Sequence, residues 1–187
     1  MIVRTTLLIV ATAIAAGCAN DEQPRYPARQ GQALQHLPAA AVPELAAQRF
    51  VAFFTAIDQP GVAHRVAALY SPTLHFSDTL FVTDDHDALA RHFQRLHERG
   101  VHIDIDLDDA VTSGRDLYLR WRMRVSYPAR GDNSPDETIG MTQLRFDESG
   151  KVTFQQDYWD SAEGVYRNIP GIGWVIDLVA AQISKET

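Results

Sequence analysis

Apolar and polar residues alternate along two neighbouring stretches in the middle of the chain. From 101 to 108, and again from 117 to 126, every second residue is apolar. This period is typical of strands that bury one face, and Ser113-Gly114 between the two stretches predicts a hairpin turn. Two more strands are predicted over 138–147 and 151–160, joined by a short glycine-containing turn. The second half of the chain is therefore predicted to form an antiparallel sheet.

Helical spacing of the apolar residues precedes these strands. It predicts one helix over 44–57 and a second over 62–70. A strand over 74–82 follows, and then a third helix that begins at an N-cap, Thr83, and ends at Gly100. This order of elements predicts an α+β fold of a single domain, in which the N-terminal helices pack against one face of a curved antiparallel sheet.

The polar positions of the two middle strands carry opposite charges. We predict that these charges pair across the hairpin in the register Asp104–Arg124, Asp106–Arg122 and Asp108–Arg120. Cross-strand pairs of this kind contribute roughly 0.2–1 kcal/mol each. The acidic run is therefore interpreted as a solvated sheet face and not as a calcium loop.

Residues 1–18 have the pattern of an export signal. Arg4 gives a positive start, and residues 7–16 form an apolar stretch that is too short for a comfortable membrane span. Ala15-Ala16-Gly17-Cys18 resembles the lipobox of bacterial lipoproteins, in which the cysteine becomes the lipidated first residue. By the same resemblance, Ala19 favours an outer-membrane anchor that faces the periplasm. The alternative is an ordinary cleaved signal peptide with an incidental cysteine.

These signals divide the chain into four segments, which are a signal peptide over 1–17, the lipidated Cys18 with a flexible tether over 18–43, a domain over 44–165 and an apolar tail over 166–187. The tether is rich in proline and is predicted to be mostly extended. For the tail we favour a helix that packs across the domain and completes its core. The alternatives are a lid, or a contact with a membrane or a partner.

The composition excludes several classes of protein. The chain has 187 residues and a formal net charge of −7, so it lacks the basic field of a nucleic-acid-binding protein. Its single cysteine, Cys18, excludes an intrachain disulfide and a multi-cysteine zinc site. We expect neither a metal site nor a nucleic-acid partner.

Three local patterns, taken in this order along the chain, resemble the nuclear transport factor 2-like superfamily in its SnoaL-like and ketosteroid isomerase-like branch. They are Ala68-Leu69-Tyr70-Ser71 followed by Phe76-Ser77-Asp78, the turn Leu144 to Gly150, and Gln156-Asp157-Tyr158-Trp159-Asp160. The resemblance covers roughly residues 44–165. It implies a cone-shaped domain, a strongly bent sheet wrapped around a helix, with an apolar pocket at the open end. Such domains commonly pair through the outer sheet face, so a homodimer is an expectation.

The isomerase pattern transfers only in part. Asp78 aligns with the general base on the first strand. The oxyanion-hole donors of the isomerases are a tyrosine and a protonated aspartate. Their positions hold Phe53 and about Thr142 here, so neither donor is present. Limonene epoxide hydrolases, which share this fold, use an Asp-Arg-Asp set, whereas the arginines here are predicted to point outward. The resemblance thus implies cofactor-free chemistry without the isomerase oxyanion hole.

Alternation and the resemblance together define a candidate pocket for a small hydrophobic molecule. Its predicted wall consists of Phe50, Phe53, Phe54, Leu119, Trp121, Met123, Thr142, Leu144, Gln155 and Trp159. Asp78 and Asp157 are the candidate catalytic acids, because burial and a neighbouring charge raise the pKa of a carboxyl group. Two alternatives stay open: the acids bind backbone amides at turns, and the domain is a non-catalytic interaction module of the envelope.

Overall fold

The computed structural model describes residues 26–128, 135–166 and 172–183. The predicted signal peptide and Cys18 lie outside the described residues. The chain separates into two compact units with the boundary between His36 and Leu37. The described part of the first unit is helix α1 (Tyr26–His36). The prediction of an extended tether is therefore wrong for these residues.

The second unit contains helices and strands in the predicted order. They are α2 (Ala46–Thr55), α3 (Val62–Leu69), β1 (Tyr70–Ser77), β2 (Val82–Asp85), α4 (His86–Glu98), β3 (His102–Ser113), β4 (Asp116–Ser126), β5 (Asp136–Phe146), β6 (Val152–Trp159), α5 (Ser161–Gly164) and α6 (Ile172–Ile183). Helices against one sheet make this an α+β fold, as predicted.

The six strands form one sheet in the order β2-β1-β6-β5-β4-β3. Four pairs of consecutive strands, β1–β2, β3–β4, β4–β5 and β5–β6, are antiparallel, but β1 and β6 run parallel. The sheet is therefore mixed, which corrects the purely antiparallel prediction. A parallel pair needs a long connection between its strands, and the whole segment from β2 to β5 supplies it.

The β3–β4 register matches two of the three predicted charge pairs. Asp104 lies opposite Arg124 and Asp106 opposite Arg122, and a register shift after Leu107 then places Asp109 opposite Arg120. The ion pairs confirm Asp104–Arg124 (2.6 Å) and otherwise differ from the prediction. Arg124 also binds Asp106 (2.7 Å), and Arg122 binds Asp108 (3.0 Å), because a long arginine side chain reaches diagonal neighbours as well as the residue directly opposite.

The predicted strand over 74–82 is two strands separated by a turn. Asp78 Oδ1 accepts hydrogen bonds from the backbone N–H groups of Leu80 (3.0 Å) and Phe81 (2.7 Å). Thr79, which follows Asp78 in this turn, has a φ angle of 76°. Because Thr83 belongs to β2, it does not cap α4. Asp85 does so, by accepting from the N–H groups of the first turn.

Aromatic side chains from both layers form the centre of the core. Phe53 makes edge-to-face contacts with Phe54, Tyr70 and Phe93, at centroid distances of 5.2, 5.6 and 4.9 Å. Such contacts add roughly 0.5–1.5 kcal/mol each beyond the burial of area. They hold α2 and α4 against β1 of the sheet and leave a cavity towards the end of α4.

Helix α6 differs from its prediction. Its side chains Ile172, Trp174, Val175, Leu178 and Val179 are exposed, Trp174 to 69%. The prediction that the tail completes the core is therefore wrong for these residues. Among the described helices, none combines the length and the apolar character that a membrane crossing requires.

Candidate functional site

A cavity of about 160 Å³ lies between α4 and the inner face of the sheet, beside α5. Most of its wall is apolar, and this part includes Phe54, Phe93, Leu96, Met123 and Trp159. The polar side chains that enter it include the two candidate acids and a histidine of α4. An apolar cavity with a few convergent polar groups is the usual character of a small-molecule site.

Asp157 is the buried acid of this cavity. Burial, with a smaller contribution from the charge of Asp78, raises the pKa of its carboxyl group to about 7 against the lowering effect of hydrogen bonds from Thr142 and Gln155. Thr142 Oγ1 donates to Asp157 Oδ1 (2.8 Å), and Gln155 Nε2 lies 3.2 Å from both carboxyl oxygens. A carboxyl group of this pKa can give or take a proton near neutral pH.

The hydrogen-bond directions around Asp157 are fixed by buried partners. Trp121 Nε1–H donates to Thr142 Oγ1 (2.9 Å), so the Thr142 hydroxyl hydrogen is left for Asp157. Tyr70 Oη donates to Gln155 Oε1 (2.7 Å), which turns the Gln155 NH₂ group towards Asp157. Two chains of donors therefore end on one carboxyl group. Oδ1 accepts from both Thr142 and Gln155, so Oδ2 is the oxygen with room for a proton.

Asp78 sits at the turn between β1 and β2. Its Oδ1 atom accepts the two N–H groups of the turn, whereas Oδ2 lies 3.6 Å from His92 Nε2. Asp78 also lines the cavity. One oxygen therefore binds backbone amides at a turn, as the first alternative predicted, while the side chain also lines the cavity, so its catalytic role stays a prediction.

His92 is a site residue that the sequence reasoning missed. Its ring stacks on Phe81 with parallel planes and a centroid distance of 4.3 Å, and it lines the cavity beside Asp78. The signal was its helical spacing, because residue 92 lies on the same face of α4 as Leu89 and Leu96.

The structure divides the predicted pocket residues into two groups. Asp78, Asp157, Phe54, Trp121, Met123 and Trp159 line the cavity. The other predicted wall residues, Phe50, Phe53, Leu119, Thr142, Leu144 and Gln155, are buried beside it. Thr142 and Gln155 still act on the site through Asp157, whereas the four apolar residues fill the closed end of the curved sheet as core.

A larger surface depression of about 580 Å³ lies elsewhere, between residues 38–41 and the β3–β4 turn. It is shallow, and its one arginine, Arg115, donates to the Ala39 carbonyl oxygen (2.7 Å). The smaller cavity holds the buried acid and is the stronger candidate. Among the described residues, no group of three or more His, Cys, Asp or Glu side chains could hold a metal ion.

Comparisons with known proteins agree with the fold described above. The family model of the SnoaL-like domain matches residues 47–155. No curated protein matches the sequence.

Solved structures of the same fold include three with low sequence identity. An LEH-like epoxide hydrolase from M. tuberculosis is 15% identical with a TM-score of 0.53, covering 64% of this chain and 79% of that one. A protein assigned as a SnoaL-like polyketide cyclase from Shewanella denitrificans is 18% identical with a TM-score of 0.53, covering 65% and 94%. A protein with a ketosteroid isomerase-like fold from Catenulispora acidiphila, in complex with trimethylamine, is 16% identical with a TM-score of 0.51, covering 67% and 92%. At these identities the likeness shows the fold alone, and with the family match it places this chain in the SnoaL-like domain family.

Proposed function

We propose that this protein binds a small hydrophobic molecule in the cavity and moves a proton on it without a cofactor. The observation that carries the proposal is Asp157, a buried carboxyl group with a pKa of about 7 at the wall of an apolar cavity that also contains Asp78. Burying a carboxyl group costs free energy, and the hydrogen bonds from Thr142 and Gln155 offset part of this cost. The neighbouring epoxide hydrolase and cyclase are consistent with small-molecule chemistry on this fold.

The two acids have environments that favour different roles. Asp157 in its protonated form donates a hydrogen bond to a carbonyl oxygen of the ligand. Asp78, which is more exposed than Asp157, takes a proton from the carbon next to that carbonyl group. The proton then returns to the same or another carbon, so that no oxidant, reductant or co-reactant is consumed.

Extraction of the mature, untagged protein and mass spectrometry of the released molecules tests the binding. A matched variant, Leu96→Trp, fills the cavity from α4 because Leu96 is part of its wall. We expect a hydrophobic molecule in stoichiometric amount from the wild type and its loss from Leu96→Trp. The same molecules in equal amounts from both proteins would exclude the cavity as their site.

We further propose that the protein is anchored in the cell envelope through a lipid on Cys18, in the outer membrane and facing the periplasm. The support is the sequence Ala15-Ala16-Gly17-Cys18 behind an apolar stretch. Metabolic labelling with a palmitate analogue and membrane fractionation test it. The wild type is expected to be labelled and sedimentable with membranes, and Cys18→Ser to lose both. Equal labelling of Cys18→Ser would contradict a lipid on this residue.

The second candidate function is an interaction module that forms a homodimer through the outer face of the sheet. Apolar side chains are exposed there, namely Val111, Ile139, Met141 and Tyr158, with Ile139 at 69%. A mass measurement by light scattering on the wild type and on Ile139→Glu tests the dimer. We expect the wild type to have twice the chain mass and Ile139→Glu the chain mass. Arg95→Glu is the charge control, because Arg95 is exposed on α4, away from that face, and this variant should have twice the chain mass. A monomeric wild type would exclude this dimer.

A further inference from the structure

The indole ring of Trp121 forms one wall of the cavity and lies against β5. A Cβ atom added at Gly140, its cross-strand partner, would stand 2.5 Å from Cζ2 of the ring. Real Cβ atoms essentially never come this close, so the ring occupies the space that any other residue at position 140 would fill. Along the same edge of the ring, Nε1 donates a hydrogen bond of 2.9 Å to Thr142 Oγ1. Two contacts with β5, at Gly140 and at Thr142, therefore fix the position of the ring in the cavity wall.

The size of the cavity limits what it can enclose. At about 160 Å³ it is far smaller than the roughly 300–1,000 Å³ pockets that surround drug-sized ligands. An apolar cavity of about 150 Å³ is large enough to hold benzene. The enclosed part of a ligand is therefore close to one six-membered ring.

The polar side chains of the cavity favour one polar functional group on the ring of the ligand. Asp157 lines the cavity, and its Oδ1 accepts from both Thr142 and Gln155, so Oδ2 is the oxygen with room for a proton. Asp78 and His92 lie together at the turn after β1. The other polar residues of the wall have partners of their own, namely Tyr127, Asp136 and Thr138. A ligand with a single carbonyl oxygen satisfies Asp157 and leaves no second polar group unpaired in the apolar part.

We propose that Trp121 is the specificity-determining residue of this site and that it restricts the enclosed ligand to a one-ring ketone or a molecule of the same size and polarity. This inference rests on the proposed function, because it assumes that the cavity is a ligand site. It adds the size class of the ligand and the residue that sets it.

The test compares cyclohexanone with 2-decalone, which carries the same ketone on a two-ring skeleton. Ligand-detected NMR titration gives a Kd for each with the wild type, Trp121→Leu, the milder Trp121→Phe, and Phe146→Leu as a control. Phe146 is a buried aromatic residue that is not part of the cavity wall. Water-to-protein transfer alone favours the larger ketone, since each buried CH₂ contributes about 0.8 kcal/mol.

We expect the wild type and Phe146→Leu to bind cyclohexanone at least tenfold more tightly than 2-decalone. Trp121→Leu should reverse the preference, and Trp121→Phe should reduce it. Equal or tighter binding of 2-decalone by the wild type overturns the size limit but leaves the cavity a ligand site. An unchanged preference in a folded Trp121→Leu or Trp121→Phe overturns the role of Trp121 alone. Failure of both ketones to bind the wild type removes the proposed function, and this inference with it. The wild-type comparison decides the size class even where Trp121→Leu does not fold.

Discussion

Trp159 Nε1 donates a hydrogen bond of 2.8 Å to the main-chain carbonyl oxygen of Asp78. This bond joins the end of β6 to the turn after β1, the two strands that run parallel in the sheet. Asp157 lies two residues before Trp159. The same bond therefore fixes the backbone on which both candidate acids stand.

Replacing Trp159 with Phe removes this bond and keeps most of the ring. We expect the free energy of unfolding to fall by about 1–2 kcal/mol, because the carbonyl group of Asp78 loses its partner in a partly buried place. Urea denaturation measures the change. Trp174→Phe is the matched control, since Trp174 is exposed, and it should change the free energy by less than about 0.5 kcal/mol. Equal effects of the two substitutions would show that the bond contributes nothing.

Asp78 has a structural and a proposed chemical role that two substitutions can separate. Asp78→Asn keeps an oxygen to accept the N–H groups of Leu80 and Phe81, whereas Asp78→Ala loses that acceptor. We expect Asp78→Ala to destabilise the protein by about 1–2 kcal/mol and Asp78→Asn by much less. Both should lose proton-transfer activity. Full activity in Asp78→Asn would reduce Asp78 to a turn residue.

The buried carboxyl group of Asp157 makes stability depend on pH. Its pKa is about 7 in the folded protein and near 3.8 in the unfolded chain. Between these values the folded state keeps the proton that the unfolded state has released, so a rise in pH through this window favours unfolding. We expect the wild type to lose roughly 2–3 kcal/mol relative to Asp157→Asn between pH 5 and pH 8.

Urea denaturation of both proteins at the two pH values measures this difference. Asp87→Asn is the control, because Asp87 is exposed in the first turn of α4. It should follow the wild type at both pH values. A constant difference between the wild type and Asp157→Asn would mean that Asp157 titrates normally.

The close approach of Trp121 to Gly140 predicts a strong coupling between the two positions. Gly140→Ala should cost about 1–3 kcal/mol, because the added Cβ atom meets the indole ring. In a Trp121→Leu background the same substitution should cost little, which gives a coupling energy of about 1–3 kcal/mol in a double-mutant cycle. Additive effects would contradict the contact.

Periodicity in the sequence predicted the helices and the long strands because each has one buried face. It predicted the β3–β4 pairing up to Leu107, where a bulge changes the register, since alternation contains no signal for one extra residue. It did not predict that β1 pairs with β6 in parallel, because that depends on how distant segments assemble. The helix at Tyr26–His36 was missed for a local reason, since the proline content suggested an extended chain, whereas Pro27 stands in the first turn of the helix, where proline is tolerated.

The candidate site was predictable where a residue projects from a regular strand. Asp157, Trp121 and Trp159 line the cavity because their positions alternate inward. Phe50 and Leu119 also project inward, but the volume that other side chains fill makes them core and not wall. The role of His92 was not predictable in this way, because it depends on the packing of α4 against the turn at Asp78. The pattern within one segment does not show which distant segment it packs against.

Exchange of the α-protons of cyclohexanone in D₂O, followed by ¹H NMR, directly tests proton transfer by Asp78 and Asp157 in the cavity. It measures proton transfer at carbon and needs no knowledge of the natural ligand. We expect faster exchange with the wild type than in buffer. This acceleration should be lost in Asp78→Asn, Asp157→Asn and the cavity-filling Leu96→Trp. Exchange at the buffer rate with the wild type, or equal acceleration in all four proteins, would contradict proton transfer by these two acids in the cavity.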